Sequence, residues 1–170
     1  MEELSPEDRA RYARHLSLPQ IGESGQSKLK LCRVFCVGAG GLGSPALLYL
    51  AAAGIGHLTV IDDDVIERSN LQRQIMHADH DVGISKAESA MLRLRELNPS
   101  ISIQVYPERL TAENAMNRVQ GHDIVLDGTD NIPTRYLIND VCELLGIPWV
   151  YGSIYRFEGQ VSVFNLDEGP

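Results

Sequence analysis

The β-branched apolar run Val34-Phe35-Cys36-Val37 opens directly into Gly38-Ala39-Gly40-Gly41-Leu42-Gly43 and leaves it at Ser44-Pro45. This order constrains the fold more than any other feature of the chain. A buried strand entering a G-x-G-x-x-G turn needs a helix on its far side. The glycines let the backbone turn tightly and approach a phosphate, while the helix start offers free N–H groups and the positive end of its dipole. A second apolar strand, Thr59-Val60-Ile61, then ends in Asp62-Asp63-Asp64, where a carboxylate can reach a ribose hydroxyl. The segment implies a bound nucleotide without saying which one.

The rest of the chain repeats the alternation of strand and helix. Ser5-Pro6-Glu7-Asp8 reads as a helix start, with a capping hydroxyl and a proline at the first helical position, and the helix continues through His15. Gly22 to Gly25 loosens the chain, and Gln26 to Leu31 forms a short helix before the first strand. Pro45 to Ala53 is a helix closed by Gly54, and His57 to Ile61 the second strand. Ser85 to Leu97 places Ala87, Ala90, Met91, Leu94 and Leu97 on one stripe. Ile101, Ile103 and Val105 alternate as a third strand, and Thr111 caps a helix running to Val119. Ile124 to Leu126 is a fourth strand, Pro133 to Leu145 a helix closed by Gly146, and Pro148 to Tyr151 a fifth strand. Gln160 to Phe164 alternates and pairs antiparallel. The expected fold class is α/β: a doubly wound, mostly parallel Rossmann-like sheet with an N-terminal helical extension and a C-terminal antiparallel strand. Residues 1–170 are expected to form a single domain, with 1–31 as the extension. Asp62 and Asp130 are expected at the same, carboxyl edge of the sheet.

Composition excludes several classes. A formal charge of −8 argues against nucleic acid as a main partner. The apolar stretch from Val34 to Ile55 is interrupted by glycines and a proline, so it is no membrane span. Met1 to Leu4 lacks the regions of a signal peptide, which makes the cytoplasm the expected location. Cys32, Cys36 and Cys142 form no C-x-x-C pair and read as small buried hydrophobes. The cluster His77-Ala78-Asp79-His80-Asp81 lacks a regular metal-ligand spacing and reads as a polar loop.

From Asp62 to Gly83 no clean period appears, and a structureless stretch of that length is usually functional. Ser69-Asn70-Leu71-Gln72-Arg73-Gln74 and Gly83-Ile84-Ser85-Lys86 bring an arginine and a lysine just beyond the ribose acid. A hydride-transfer site would want an apolar nicotinamide pocket there, whereas a planar guanidinium and an ammonium suit a triphosphate. Asp130, after the fourth strand, is either a Mg²⁺ ligand facing the phosphates or a capping acid for the Pro133 helix.

These motifs, with Arg11-Tyr12-Ala13-Arg14-His15, Asn98-Pro99, Asp127-Gly128-Thr129-Asp130-Asn131 and Gly152 through Glu158-Gly159-Gln160, occur in fixed order across the chain. Together they resemble the ubiquitin-activating-enzyme-like adenylyltransferases, specifically the ThiF/MoeB/HesA group that activates sulfur-carrier proteins. The resemblance implies ATP and Mg²⁺ as cofactors. It implies a nucleotide site bordered by Gly38, Gly40, Gly41 and Gly43, by Asp62 and Asp64, by Ser69, Asn70, Leu71, Gln72 and Arg73, and by Lys86, Asp130 and Asn131. Asp62 would hold the ribose hydroxyls, Asn70, Arg73 and Lys86 the phosphates, and Asp130 the metal. Arg14 would act from a second subunit, which implies a homodimer. The implied reaction joins the C-terminal carboxylate of a ubiquitin-like carrier ending in Gly-Gly, of the molybdopterin or thiamine type, to AMP and releases pyrophosphate. Members of the group usually continue, beyond a stretch like Asp167 to Pro170, into a C-x-x-C zinc element, so zinc is expected only in a longer chain. A truncated module that binds nucleotide and carrier without catalysis, and an NAD-dependent dehydrogenase, are the competing readings.

Overall fold

The computed structural model describes residues 3–166; the N-terminal Met1-Glu2 and the Asp167–Pro170 stretch named above lie outside the described residues. Six strands form one sheet in the order β3-β2-β1-β4-β5-β6. They are β1 (Arg33–Val37), β2 (His57–Ile61), β3 (Ser102–Tyr106), β4 (Ile124–Asp127), β5 (Trp149–Tyr155) and β6 (Glu158–Phe164). β1 to β5 are mutually parallel, and β6 returns antiparallel on β5, pairing Trp149 with Phe164 and Tyr155 with Glu158. The fold is the doubly wound α/β sheet expected, with the antiparallel strand at its C-terminal edge.

β1 is the middle of this arrangement and is covered on both faces. Val34 and Cys36 face one core with Leu47, Ala51, Leu58, Val60, Ala90 and Leu94. Those residues come from β2 and from two helices, α4 (Gly43–Ala53) and α5 (Lys86–Leu97). Phe35 and Val37 face a second core with Ala115, Val119, Val125, Ile138, Val141 and Trp149. This core is covered by α6 (Ala115–Val119) and α7 (Ile132–Leu145). A strand buried on both faces carries no polar alternation, which is why β1 reads as a continuous apolar run. Cys36 and Cys142 lie fully inside these cores, and burial lifts both thiols out of the reactive range, Cys142 to about 12. Cys32 is half-buried.

The chain reverses direction across the sheet between β1 and β4. At such a switch point the loops diverge and leave a crevice above the strand ends. Here the loops after β1 and β4 touch at glycines. Gly38 sits at φ +95°, and a Cβ on Gly43 would lie 1.9 Å from the Gly38 carbonyl oxygen. Only a residue without a side chain lets α4 begin this close to β1.

Before β1 the chain forms α1 (Pro6–Arg11), α2 (Ala13–Leu16) and α3 (Gly22–Leu31). The Ser5 hydroxyl accepts the Asp8 amide at 3.0 Å, as expected for the cap. The expected single helix through His15 is broken at Tyr12, whose ring is drawn inward and whose hydroxyl accepts from Asn98 Nδ2 at 2.8 Å. The stretch expected to be loosened by Gly22 and Gly25 is helical instead. Tertiary anchoring overrides glycine's weak propensity there: Gln26 is fully buried, accepts from His15 and donates to the Ala53 carbonyl at 2.9 Å. Arg11 donates to Leu97 O and Asn98 to Ala51 O, so these segments occupy the carbonyl ends of α4 and α5. The described part of this extension, residues 3–31, is thus seated at the end of the sheet opposite the crevice. Thr111 does not cap a helix; residues 111–114 form a turn in which Asn114 Oδ1 accepts the Thr111 amide, and α6 begins at Ala115. No helix among the described residues is long and apolar enough to cross a membrane.

His122 lies before β4 with Nε2 2.8 Å from Thr59 Oγ1 and Nδ1 2.9 Å from Val119 O. Burial holds its imidazole below the ordinary value of 6.5. The folded protein therefore binds fewer protons than the unfolded chain just below that pH. This contribution is fully present above 6.5 and is lost progressively as pH falls from there through the depressed value of the folded state. Urea unfolding between pH 7.5 and 5.5 is expected to show falling stability, and His122→Gln to flatten that slope.

Candidate active site

A cavity of about 780 Å³ opens above the carboxyl ends of β1 to β5. Its walls are the loops after those strands: Gly38 to Leu42 after β1, Asp62 to Asp64 after β2, Glu108 to Leu110 after β3, Gly128 to Ile132 after β4, and Ser153 to Tyr155 of β5. The long irregular segment adds Asn70, Arg73 and Gln74, and α5 adds Lys86. Asp62 and Asp130 share this edge, as expected.

The glycine loop is held from beneath. Asp62 Oδ2 accepts the Ala39 amide at 2.7 Å, and its Oδ1 accepts the Asp64 amide at 2.9 Å. Burial nonetheless holds the Asp62 carboxyl above the usual carboxylate range, outweighing those two N–H groups and Lys86. Each oxygen retains a lone pair for a hydroxyl donor. The amides of Gly40, Gly41 and Leu42 meet no protein acceptor among the described residues. They precede α4, where the helix dipole favours an anion.

The segment from Asp62 to Lys86 is ordered and closed at its neck. The Lys86 amide donates to Asp64 O at 3.0 Å, Ile66 and Ile84 pair through their backbones, and Val65 bridges Ser85. Two 3₁₀ turns, Arg68–Asn70 and Asp79–Asp81, fill the interior. Asn70 Oδ1 accepts the Glu67 amide, which ties down the first turn and leaves its NH₂ for a ligand. The neck returns the chain to the β2 end, so Lys86 arrives beside Asp64 with Nζ 2.6 Å from Oδ2. The lysine side chain is 7% exposed and the aspartate 63%. That carboxylate also offsets the cost of a cation in the first turn of α5.

Among the lining cations, Arg109 is paired with Asp63 and Arg135 faces Asp127. Arg73 has no carboxylate partner among the described residues; it donates only to Ser69 O, and its stem lies 3.5 Å from where a Cβ on Gly41 would stand. An uncompensated guanidinium above a row of free amides is an anion site.

Asp130, on the loop after β4, is exposed and has no hydrogen bond or ion pair among the described residues. It does not cap α7. Asn131 does, with Oδ1 accepting the Thr134 amide at 3.0 Å, which leaves Asp130 one residue outside the helix and facing the cavity. Its free carboxylate and the Asp62–Asp64 group, whose oxygens lie within 4.8 Å of one another, are hard oxygen donors of the kind Mg²⁺ takes.

Gly38, Gly40, Gly41, Asp62, Asp64, Asn70, Arg73, Lys86, Asp130 and Asn131 are thus brought to one cavity. Gly43, at the first position of α4, and Ser69, Leu71 and Gln72, beside Asn70 and Arg73 in sequence, do not line it. Arg14 is exposed on α2 and does not line it either. Sequence reasoning missed Gln74 and Arg135. Gln74 is buried with Oε1 unpartnered among the described residues. Arg135 donates to Thr129 O at 2.7 Å, Gly152 O at 3.1 Å and the Tyr151 hydroxyl at 2.9 Å. It thereby joins β4, β5 and α7; one arginine on a helix gives no sequence sign of that.

The ThiF family model matches residues 12–170. The chain is 54% identical to "Probable adenylyltransferase/sulfurtransferase MoeZ" of Mycobacterium tuberculosis over 96% of its own length and 42% of that protein's. It is 51% identical to "Sulfur carrier protein adenylyltransferase" of Thermus thermophilus over 94% of its length and 59% of that protein's. Escherichia coli tRNA N6-threonylcarbamoyladenosine dehydratase, solved with ATP, superposes with a TM-score of 0.78 at 33% identity, over 85% of this chain and 59% of that one. The chain therefore spans about half the length of these relatives.

Asp127 is buried and its Oδ2 faces only the Arg135 guanidinium, 3.6 Å away. Burial pushes its carboxyl above the usual range against the Thr129 N–H and O–H and Arg135. Removing one partner of a buried ion pair strands the other, at about 3 kcal/mol or more. Urea unfolding of Arg135→Leu is expected to show a loss of that size, and Asp127→Asn in the same chain to recover at least half of it; additive losses would show the two are not coupled.

Proposed function

The chain belongs to the ThiF family, and from that premise we propose that its cavity adenylates the C-terminal glycine carboxylate of a ubiquitin-like sulfur-carrier protein. The observation that carries this reading is Arg73, a guanidinium without a carboxylate, lying over Gly41 and the free loop amides. The names of the Mycobacterium and Thermus relatives, a probable adenylyltransferase/sulfurtransferase and a sulfur carrier protein adenylyltransferase, point the same way.

The chemistry matches what the cavity offers. A C-terminal carboxylate is ionised at neutral pH, with a pKa of about 3.5, so no general base is required. One carboxylate oxygen forms a bond to the α-phosphorus of ATP, the bond from that phosphorus to the β-bridging oxygen breaks, and pyrophosphate leaves. The demand is for alignment and for positive charge on the departing phosphates. Arg73, Asn70 and the amides of Gly40 to Leu42 would hold the phosphates, while Asp62 would accept from the ribose hydroxyls. Lys86 would turn from Asp64 toward the leaving group, or hold both. Asp130 would carry Mg²⁺, which when bound neutralises charge on the phosphate oxygens. Arg14 would reach the site of a second copy, making the working unit a homodimer. Residues 1–170 would act as one nucleotide-binding domain with 1–31 as its extension, in the cytoplasm, on a carrier of the molybdopterin or thiamine type that ends in Gly-Gly.

Isotope exchange between pyrophosphate and ATP tests the reaction. The full chain with Mg²⁺ and Gly-Gly carriers of the same cell is expected to exchange only when a carrier is present; silence with all of them would defeat the reading. Asp130→Ala is expected to lower exchange by about 10²-fold or more, with an unchanged melting temperature because the side chain supports no other residue. Mixed dimers of Arg14→Ala and Lys86→Ala subunits, each inactive alone, are expected to recover one working site in two.

A further inference from the structure

The imidazole of His77 is buried, and both of its nitrogens are engaged. Nε2 lies 3.0 Å from the Ala39 carbonyl oxygen, which can only accept, so Nε2 carries the hydrogen. Nδ1 lies 2.9 Å from Ser89 Oγ, which is itself 3.1 Å from Asp81 Oδ2. One hydroxyl proton cannot serve both neighbours. With the ring neutral, Ser89 donates to Nδ1, and Asp81 Oδ2 keeps the Ala78 amide at 2.9 Å. Burial depresses the His77 pKa and favours that neutral form.

The target of Nε2–H is what gives the contact its meaning. The Ala39 carbonyl also accepts from Ser44 Oγ at 3.0 Å, so two donors pull it down into the protein. Across a trans peptide the C=O and the following N–H point in opposite directions. Holding the Ala39 carbonyl inward therefore turns the Gly40 N–H outward, and Gly40 lines the cavity with that amide unpartnered. Ser89 sits on α5 one turn after Lys86. The same ring thus connects the helix that carries the lysine to the loop that presents the amides.

We propose that His77 is a positioning residue that orients the Gly40 amide toward the bound phosphates and fixes the glycine loop against the Lys86 helix. The role rests on the ATP-binding reading above.

Equilibrium binding to the full chain separates this from a packing role, with ATP, inorganic pyrophosphate and adenosine as probes. His77→Ala is expected to weaken ATP and pyrophosphate by about tenfold, the scale of losing one aligned charge-assisted hydrogen bond, and adenosine by less than about twofold. His77→Gln, whose amide can place an N–H near the Nε2 position, is expected to restore ATP to within about threefold of wild type. If His77→Ala does not fold, Ser89→Ala leaves the ring but frees its tautomer, and is expected to weaken ATP by about threefold with adenosine unchanged. ATP binding unchanged in the variant that folds, adenosine falling in parallel with ATP, or no rescue by glutamine would each overturn the role. Wild-type protein that bound no ATP would overturn the reading itself and the role with it.

Discussion

The residue Ala39 is held from three sides, and much of the site follows from that. Its amide is taken by Asp62, its carbonyl by Ser44 and His77. Those partners come from the end of β2, the start of α4 and the irregular segment between β2 and α5. A loop of glycines is entropically free, and fixing a residue's backbone costs about 1–2 kcal/mol. Buried hydrogen bonds to its one non-glycine residue before the Gly-Gly pair offset part of that cost without placing a side chain where a ligand would stand. The same clamp requires the close approach of Gly43 to Gly38, because α4 must begin directly over the strand for Ser44 to reach back.

Charge in the cavity is arranged by pairing. Lys86 with Asp64, Arg109 with Asp63 and Arg135 with Asp127 are cations answered by carboxylates. Only Arg73 is not, among the described residues, and it stands at the free amides. A protein with a formal charge of −8 can thus present one locally positive spot. Asp130, a lining carboxylate that is exposed and has no ion pair among the described residues, lies on the loop after β4. A ligand that is anionic where it meets Arg73 suits this arrangement, and under the proposed reading a cation carried by that ligand would answer Asp130.

The fold was readable because its signals are local. Strand, glycine turn and helix follow one another at β1 to α4, and the apolar stripe of α5 falls where the period placed it, with Ala87, Ala90 and Leu94 buried. Arg73 and Lys86 were legible because they follow a recognisable ribose-type acid. The errors arose where distant contacts decide. Gly22 and Gly25 are helical because Gln26 is anchored to α4, and Thr111 yields to Asn114 as the turn-forming side chain. Asp130 and Asn131 are adjacent and both suited to capping, so only coordinates could separate the cap from the cavity carboxylate. His77 was hidden most completely. Its partners are 38 residues before it and 12 after it, and in sequence it reads as part of a polar cluster.

The closed neck between Asp64 and Lys86 explains how so long an irregular segment can serve a defined site. Backbone bonds at Asp64, Ile66, Gly83 and Ile84 join its two ends, so the residues between them form a compact excursion rather than a tether. Closing a loop costs only slowly more as it lengthens, and Met76 and His77 bury part of the excursion against the first core. The segment can then hold Asn70 and Arg73 over the glycine turn at one end and deliver Lys86 to the β2 edge at the other. With Lys86 in the first turn of α5, its stem is buried and its ammonium is held by an exposed acid. That contact keeps the ammonium pointed at the cavity edge, on the side where Asp64 meets solvent.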